Sequence, residues 1–185
     1  MNKNIKLLLT ANYWHTFGFT LLSPLYAVYV TQQLNGSEFE IGLSYSVYGF
    51  SAGILMIIAG RVEDSISKYA KQILTFGYVL LAIASFGYLL VDSIYQLMFL
   101  QMIYAMAVAI YVPMSKTLFS KLEDDGKESS EWAIMDGGNF LIIGFSSLIG
   151  GYLLANYSFD VIFIGMGISQ LFAALLVSRV APSRI

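Results

Sequence analysis

The polar side chains that interrupt long apolar stretches are the residues of this sequence best suited to chemistry. Asn12 and His15 lie within the first such stretch, and Asp136 lies near the start of the fifth. Histidine is the side chain whose charge changes most easily near neutral pH, so His15 is a candidate for proton coupling. Asp136 is the second candidate. The alternative for His15 is a neutral ring that hydrogen-bonds a neighbouring helix, and for Asp136 a structural ion pair or cap.

A second polar face lies in the fourth apolar stretch. Gln101, Tyr104 and Tyr111 recur there at helical spacing, and Asn139 follows Asp136 by three residues. Buried polar groups in lipid are costly, so each is a candidate for function. We expect a central substrate cavity that favours a neutral or amphipathic small molecule; its predicted lining is Asn12, His15, Gln101, Tyr104, Tyr111 and Asn139. The alternative is hydrogen bonding between helices.

Several chemistries are not expected. The chain has no cysteine and one histidine, so neither thiol catalysis nor a zinc site is predicted. It contains no phosphate-binding glycine motif, no catalytic pair and no basic run of the kind that binds nucleic acid. We therefore expect no enzyme activity, no cofactor, no metal and no nucleic-acid partner.

The elements that carry these residues are predicted to be membrane helices. Hydrophobic residues make up 57% of the 185 residues and charged residues 12%, against about 25% charged in soluble domains. A spanning helix needs roughly 20 apolar residues, and six segments meet that length. They are about 5–31, 39–60, 70–91, 94–116, 131–155 and 160–180, and they form one bundle over residues 1–185 with the lipid bilayer around it.

The basic residues indicate the orientation of the six predicted helices. All ten Lys and Arg fall before the first helix, after the last one, or in the second and fourth connections and the helix ends beside them. They are Lys3, Lys6, Arg61, Lys68, Lys71, Lys116, Lys121, Lys127, Arg179 and Arg184. Because positive charge is retained on the cytoplasmic side, we expect both termini in the cytoplasm and the protein in the plasma (inner) membrane.

The second connection carries a motif. Its sequence from Gly60 to Lys68 resembles the G-x-L-A-D-R-x-G-R-R loop of the major facilitator superfamily, with Gly60, Asp64 and Lys68 in matching positions. Further matching features are the proline Pro113 late in the fourth helix, the Gly150–Gly151 pair in the fifth, and Phe159 with Phe163 at the start of the sixth.

This resemblance covers the whole chain, but as a single six-helix half of a twelve-helix family. It implies an all-α membrane protein with a 3+3 inverted repeat, in which the first and fourth helices line a central cavity. It also implies that Gly60, Arg61, Asp64 and Lys68 form a gating loop. Gln101 stands where proton-coupled members often carry Arg, and Ser146–Ser147 stand where drug antiporters carry Gly-Pro, which disfavours an antiporter.

A lone half cannot enclose a pathway that lies between two bundles. We therefore expect a parallel homodimer that transports by alternating access, with the second helix of one subunit packed on the fifth helix of its partner. Small residues at close-approach spacing predict this interface at Gly49, Gly53, Ser147 and Gly151. The alternatives are a non-transporting scaffold or regulatory subunit, and an isolated half of a longer transporter.

Overall fold

The computed structural model is all-α over residues 1–181, the part of the chain that it describes, without the side chains of residues 62–65 and 67. Seven α-helices follow one another along the chain. They are α1 (Lys3–Leu22), α2 (Tyr26–Gln33), α3 (Glu38–Ile66), α4 (Ala70–Gly87), α5 (Ile94–Leu122), α6 (Glu128–Asn156) and α7 (Phe159–Ser178). The predicted all-α class is confirmed, although the number of helices differs from six.

The first predicted helix is divided in two. A short 3-10 turn, Ser23–Leu25, separates α1 from α2. Pro24 accounts for the break, because proline has no N–H to donate and its ring crowds the carbonyl group of the preceding turn. In contrast, Pro113 lies inside an uninterrupted α5. The predicted segment 5–31 is therefore one passage through the bundle made of two helices.

Two helices are longer than predicted on the side that carries the basic residues. Helix α3 continues through most of the expected connection and ends at Ile66, and α5 ends at Leu122 rather than near residue 116. Neither extension contains glycine or proline, so nothing in the sequence stops the helix where the apolar stretch ends. The predicted gating loop is thus largely helical.

Among the residues that the structure describes, five helical segments are long and apolar enough to cross a membrane. They are Glu38–Arg61, Ala70–Leu90, Ile94–Leu122, Glu128–Asn156 and Phe159–Ser178. Helix α1 is not among them although it has 20 residues, because Lys6, Asn12 and His15 make it less apolar than the other five.

Helix packing leaves two helices on the outside of the bundle. Helix α4 packs between α5 and α7, α1 packs on α6 and α7, and α3 packs on α5. In the most apolar 18-residue window of α3 and of α6, 11% of residues are buried, against 44–50% for α4, α5 and α7. Helices α3 and α6 therefore each present a broad apolar face that the rest of the protomer does not cover.

One end of the bundle gathers the residues that the basic pattern placed on one side. The Asn2 amide donates to the Leu122 carbonyl (2.8 Å), and Lys71 Nζ donates to the Val180 carbonyl (3.1 Å). The start of α1, the end of α5, the start of α4 and the end of α7 thus meet. Eight of the ten basic residues lie in or beside these segments, Arg61 lies near the end of α3, and Arg184 lies outside the described residues.

Candidate functional site

His15 is held by both ring nitrogens at the contact of α1, α5 and α7. Its Nδ1 lies 2.9 Å from Gln170 Oε1, and its Nε2 lies 2.8 Å from Tyr111 Oη. The Gln170 amide nitrogen also donates to the His15 carbonyl (3.3 Å), which orients the amide. Because an amide oxygen only accepts, Nδ1 carries the proton and Nε2 accepts from the Tyr111 hydroxyl. This arrangement satisfies a neutral imidazole.

A series of polar contacts joins α1 to α6. Asn139 Oδ1 accepts from Asn12 Nδ2 (2.8 Å) and from Thr16 Oγ1 (2.9 Å). Further along the same two helices, the hydroxyls of Thr20 and Ser146 are hydrogen-bonded to each other. These contacts are side chain to side chain across two long helices, as expected where lipid offers no alternative partners.

Close backbone contact continues this series of contacts. A Cβ at Gly150 would collide with the Leu21 carbonyl oxygen and would lie 3.3 Å from the Leu21 Cα. Gly150 therefore lets α6 approach the α1 backbone directly. Its neighbour Gly151 has no atom within 4 Å of the Cβ position.

The polar residues Gln101 and Tyr104 lie in a different place, beside the break in the first passage. Gln101 Nε2 donates to Tyr26 Oη (2.7 Å), whose own hydroxyl donates to Ser44 Oγ (2.8 Å). The hydroxyl of Tyr104 is buried and has no hydrogen-bond partner among the described residues. Both side chains line a pocket of about 40 Å³ between α1, α3 and α5.

That volume limits what this pocket can hold. Small-molecule sites usually measure about 300–1,000 Å³, so a pocket of about 40 Å³ cannot enclose a substrate by itself. A substrate-sized cavity at this place would need walls from a second bundle.

The six predicted cavity residues thus separate into three groups. The structure brings His15 to Tyr111 and Asn12 to Asn139, and it places Gln101 and Tyr104 together in the small pocket. Sequence reasoning did not assign a role to Gln170 or Thr16, although their polarity within apolar helices was a visible signal. Tyr45 and Tyr48, which also line the pocket, carried no such signal because tyrosine is common throughout this chain.

The predicted interface residues lie on the uncovered helices. The Cβ positions of Gly49, Gly53 and Gly151 have no atom within 4 Å, and Ser147 is partly exposed. Ser146 and Gly150, one residue before Ser147 and Gly151, instead face α1. The small residues of α6 therefore lie on two sides of this helix. Ser146 and Gly150 face α1 inside the protomer, and Ser147 and Gly151 lie on the outer side.

The remaining predicted residues lie at the basic end. Asp136 is exposed in the third turn of α6, and Gly60 and Arg61 lie in the last two turns of α3. Lys68 Nζ lies 5.0 Å from the centre of the Tyr69 ring, a cation–π contact. The side chain of Asp64 lies outside the described residues.

The fold and these sites define a helical membrane protein, and comparison with known proteins identifies its family. The model of the Major Facilitator Superfamily matches residues 9–184. The chain therefore belongs to the Major Facilitator Superfamily, a family of membrane transporters.

A protein of Bacillus subtilis (strain 168), named "Uncharacterized MFS-type transporter YitZ", is similar to this chain. The two are 20% identical over 166 residues, which are 88% of this chain and 98% of that protein. The similarity thus extends over nearly all of a relative whose length is close to that of a single six-helix half.

Proposed function

We propose that this protein is a half-size secondary transporter that works as a parallel homodimer and moves a small neutral or amphipathic molecule by alternating access. The observation that carries the proposal is the uncovered face of α3 and α6 in a chain of this family. A bundle whose two outer helices present small residues and large apolar side chains is suited to pack against a second bundle. In a two-fold dimer the same patch is used on both subunits.

The packing of the helices supports a 3+3 inverted repeat. The first repeat consists of α1 with α2, then α3 and α4, and the second consists of α5, α6 and α7. Exchanging the two repeats replaces α1 with α2 by α5, α3 by α6, and α4 by α7. The contact of α1 with α6 then becomes that of α5 with α3, and the contact of α1 with α7 becomes that of α5 with α4. The contact of α4 with α7 is unchanged, so the pattern maps onto itself, as repeats in this kind of transporter do.

The clustering of basic residues supports a parallel dimer with both termini in the cytoplasm. Positive charge is retained on that side, so every copy inserts with the basic end facing the same way. A two-fold axis along the membrane normal then brings α3 of one subunit against α6 of its partner.

The chemistry of the inner faces supports a neutral or amphipathic substrate. The side chains that line the small pocket, and His15 with its partners Gln170 and Tyr111, are phenols, amides, hydroxyls, one imidazole and apolar groups. Proton coupling through His15 and Asp136 remains a prediction of the proposal, and the His15 variant described below tests the part that His15 plays.

Cysteine crosslinking tests the dimer, because the native chain has no cysteine. Two differently tagged variants, Gly53→Cys and Ser147→Cys, are co-expressed and oxidised in the membrane. We expect a disulfide between the two tagged chains. The matched control is Phe76→Cys with Ser147→Cys, since Phe76 is exposed, as Gly53 is, but lies on α4 and not on either proposed interface helix. Equal crosslinking of both pairs, or a monomer by native mass spectrometry, would contradict the dimer.

A scaffold is the second candidate, because the polar side chains of α1 are satisfied within the protomer. A single Thr16→Cys variant separates the two functions, as Thr16 is partly exposed in the middle of the first passage. Maleimides react with the thiolate, which forms in water. Labelling by an impermeant maleimide supports a wet transport cavity, and an unreactive cysteine supports a dry scaffold interface.

A further inference from the structure

Two lysines, two hydroxyl groups and a tryptophan line an open pocket at the basic end of the bundle. Lys116, Thr117, Ser120 and Lys121 belong to the last turns of α5, and Trp132 belongs to the first turns of α6. The pocket measures about 410 Å³, and both lysines are exposed. We call this group the basic pocket. Its volume is in the usual range of ligand sites, about 300–1,000 Å³, and its charged groups are accessible from outside.

Trp132 is a fixed wall of the basic pocket. Its ring packs edge-to-face on Phe119 of α5, with the centroids 4.6 Å apart, and its Nε1 donates to Glu123 Oε2 (2.9 Å). The Ser120 hydroxyl lies 3.4 Å from the other oxygen of the same carboxylate. Glu123 therefore holds two members of the pocket in place, and it balances at most one of the two lysine charges.

The other carboxylates described nearby have partners of their own. Asp124 accepts from the Asn2 amide (3.1 Å), and Glu131 accepts from the Asp124 N–H (3.0 Å). Among the residues that the structure describes, no carboxylate forms an ion pair with Lys116 or Lys121. The pocket thus keeps a net positive charge and presents ammonium groups that can bind an anion.

An exposed apolar stripe runs along α5 toward the basic pocket. Its members recur at intervals of three or four residues and so share one side of the helix. They are Tyr95, Phe99, Met102, Met106, Ile110 and Pro113. The first four are 42–80% exposed, and the next two positions of the same spacing are Thr117 and Ser120 in the pocket. One face of α5 is therefore apolar along its length and basic at its end.

This face of α5 is free of the contacts already described. Helix α5 packs on α3 and α4, and neither covers the stripe. The proposed dimer uses α3 and α6, and the Trp132 ring is turned to Phe119 within the protomer. In a membrane the stripe then contacts lipid chains.

The donors of the pocket suit a phosphate group. Lys116 and Lys121 are five residues apart, about 7.5 Å along the helix, so their long side chains can converge on one phosphate between them. Ammonium groups and hydroxyls are the donors that phosphate oxygens accept from, and a tryptophan ring is favoured at the level of lipid headgroups. Basic pockets at the cytoplasmic surface attract anionic lipids.

The stripe indicates a lipid rather than a soluble phosphate. From Met102 to Pro113 it extends about 16 Å, close to half of the roughly 30 Å core of a bilayer. An acyl chain of one leaflet therefore fits along it when the phosphate lies between the lysines. A soluble phosphate would use the lysines alone.

We infer that the basic pocket binds the phosphate of an anionic phospholipid of the cytoplasmic leaflet, whose acyl chain lies along the apolar stripe of α5. The leaflet follows from the proposed orientation of the basic end. The binding itself requires neither the dimer nor transport.

Trp132 reports on the pocket once Trp14, the other tryptophan of the chain, is replaced by phenylalanine. The Trp14→Phe protein is placed in phosphatidylcholine nanodiscs that contain a small fraction of phosphatidylglycerol with brominated chains. Bromine quenches the fluorescence of a nearby indole. We expect stronger quenching than by the same fraction of brominated phosphatidylcholine, and equal quenching by both lipids would overturn the inference. Both leaflets of a nanodisc have the same composition, so the orientation in cells does not affect this result.

Lysine variants test the charged groups. Lys116→Gln and Lys121→Gln should each lower the preference for phosphatidylglycerol about fivefold, and the double variant should lose most of it. The matched control is Lys6→Gln with Lys127→Gln, which removes two exposed charges at the same end of the bundle but outside the pocket. We expect the control to keep the preference. An equal loss in both double variants would show general attraction to the surface and would overturn the site.

Native mass spectrometry provides a second measurement that leaves Trp14 in place. Phosphatidylglycerol should stay bound to the native protein and to the control, and it should be lost from the double variant of Lys116 and Lys121. Retention in that variant would contradict the site. Thermal unfolding verifies that each variant is folded.

A soluble phosphate is tested by competition. Glycerophosphoglycerol, the headgroup without its chains, and inorganic phosphate are added at millimolar concentration, with sodium chloride of equal ionic strength as reference. We expect the quenching by brominated phosphatidylglycerol to remain, because neither compound can use the stripe. Displacement beyond the salt reference would assign the pocket to a soluble phosphate and overturn the lipid site.

Discussion

At the scale of single residues, His15 shows how a buried polar group can be fully satisfied without a charge. Gln170 accepts from one ring nitrogen and Tyr111 donates to the other. Three separate helices therefore depend on one imidazole, and its first role in the protomer is to hold α1, α5 and α7 at a fixed spacing. Proton coupling would require this set of hydrogen bonds to rearrange when the ring gains a proton.

His15→Ala is expected to destabilise the protomer, because it leaves buried groups of Gln170 and Tyr111 unpaired. The loss should be about 1–3 kcal/mol, the usual cost of an unsatisfied buried polar group. Reversible unfolding in mixed micelles measures it. Trp14→Ala is the control, since the adjacent Trp14 side chain is more than a third exposed.

A double-mutant cycle with Tyr111→Phe assigns part of this loss to the hydrogen bond between the two side chains. We expect a coupling of about 0.5–1.5 kcal/mol. A coupling of zero would show that the contact contributes nothing to stability. In liposomes the same His15→Ala variant should lose uptake driven by a pH gradient, and unchanged uptake would count against proton coupling at this residue.

At the scale of helices, two adjacent glycines of α6, Gly150 and Gly151, lie in opposite packing environments. Gly150 meets the backbone of α1 at Leu21, whereas Gly151 faces open space. The sequence motif is the same for both, so only the packing separates a residue needed for the fold from one available for a partner.

Gly150→Ala is expected to destabilise the protomer by about 1–3 kcal/mol, because the added methyl group forces α6 away from α1. Gly151→Ala should be neutral or slightly stabilising for the protomer, since alanine favours a helix over glycine. Unfolding of the two variants under identical conditions measures the difference. A larger loss for Gly151→Ala would contradict the packing of α6 on α1.

A larger substitution at Gly151 tests the dimer interface separately from the folding of the protomer. Gly151→Leu leaves the inside of the protomer untouched, so we expect a folded protein with reduced crosslinking between Gly53→Cys and Ser147→Cys. Crosslinking that is unaffected by the leucine would argue that Gly151 lies outside the interface.

At the scale of the whole molecule, the apolar lengths predicted five helices that are long and apolar enough to span a membrane, because the thickness of a bilayer leaves little choice. The ends of α3 and α5 were not predictable in the same way, since a helix outside the membrane has no fixed length. The pairing of His15 with Gln170 was also out of reach. The two residues are 155 positions apart, and spacing within a helix says nothing about which helix lies opposite.

The orientation of the molecule can be tested by labelling from one side of the membrane. Asp125→Cys lies at the basic end and Asp92→Cys lies in the connection between α4 and α5, at the other end. In intact cells an impermeant maleimide should label the cysteine at position 92 and not the one at position 125, since basic residues stay inside. Permeabilised cells provide the control, where both should react, and the reverse pattern would contradict the proposed orientation.

The contacts between α1 and α6 have a mechanical consequence. Asn12, Thr16 and Thr20 are hydrogen-bonded to α6, and Gly150 fixes the backbone distance at Leu21. Sliding α6 by a single residue, about 1.5 Å along its axis, would put these contacts out of register. We therefore expect α1 and α6 to move together as one rigid unit. The nearest break in the helices is the turn at Ser23–Leu25 that contains Pro24, and Ser23 lines the small pocket between α1, α3 and α5. Any change of angle between this pair of helices and α2 is therefore expected at that turn, at the edge of the pocket.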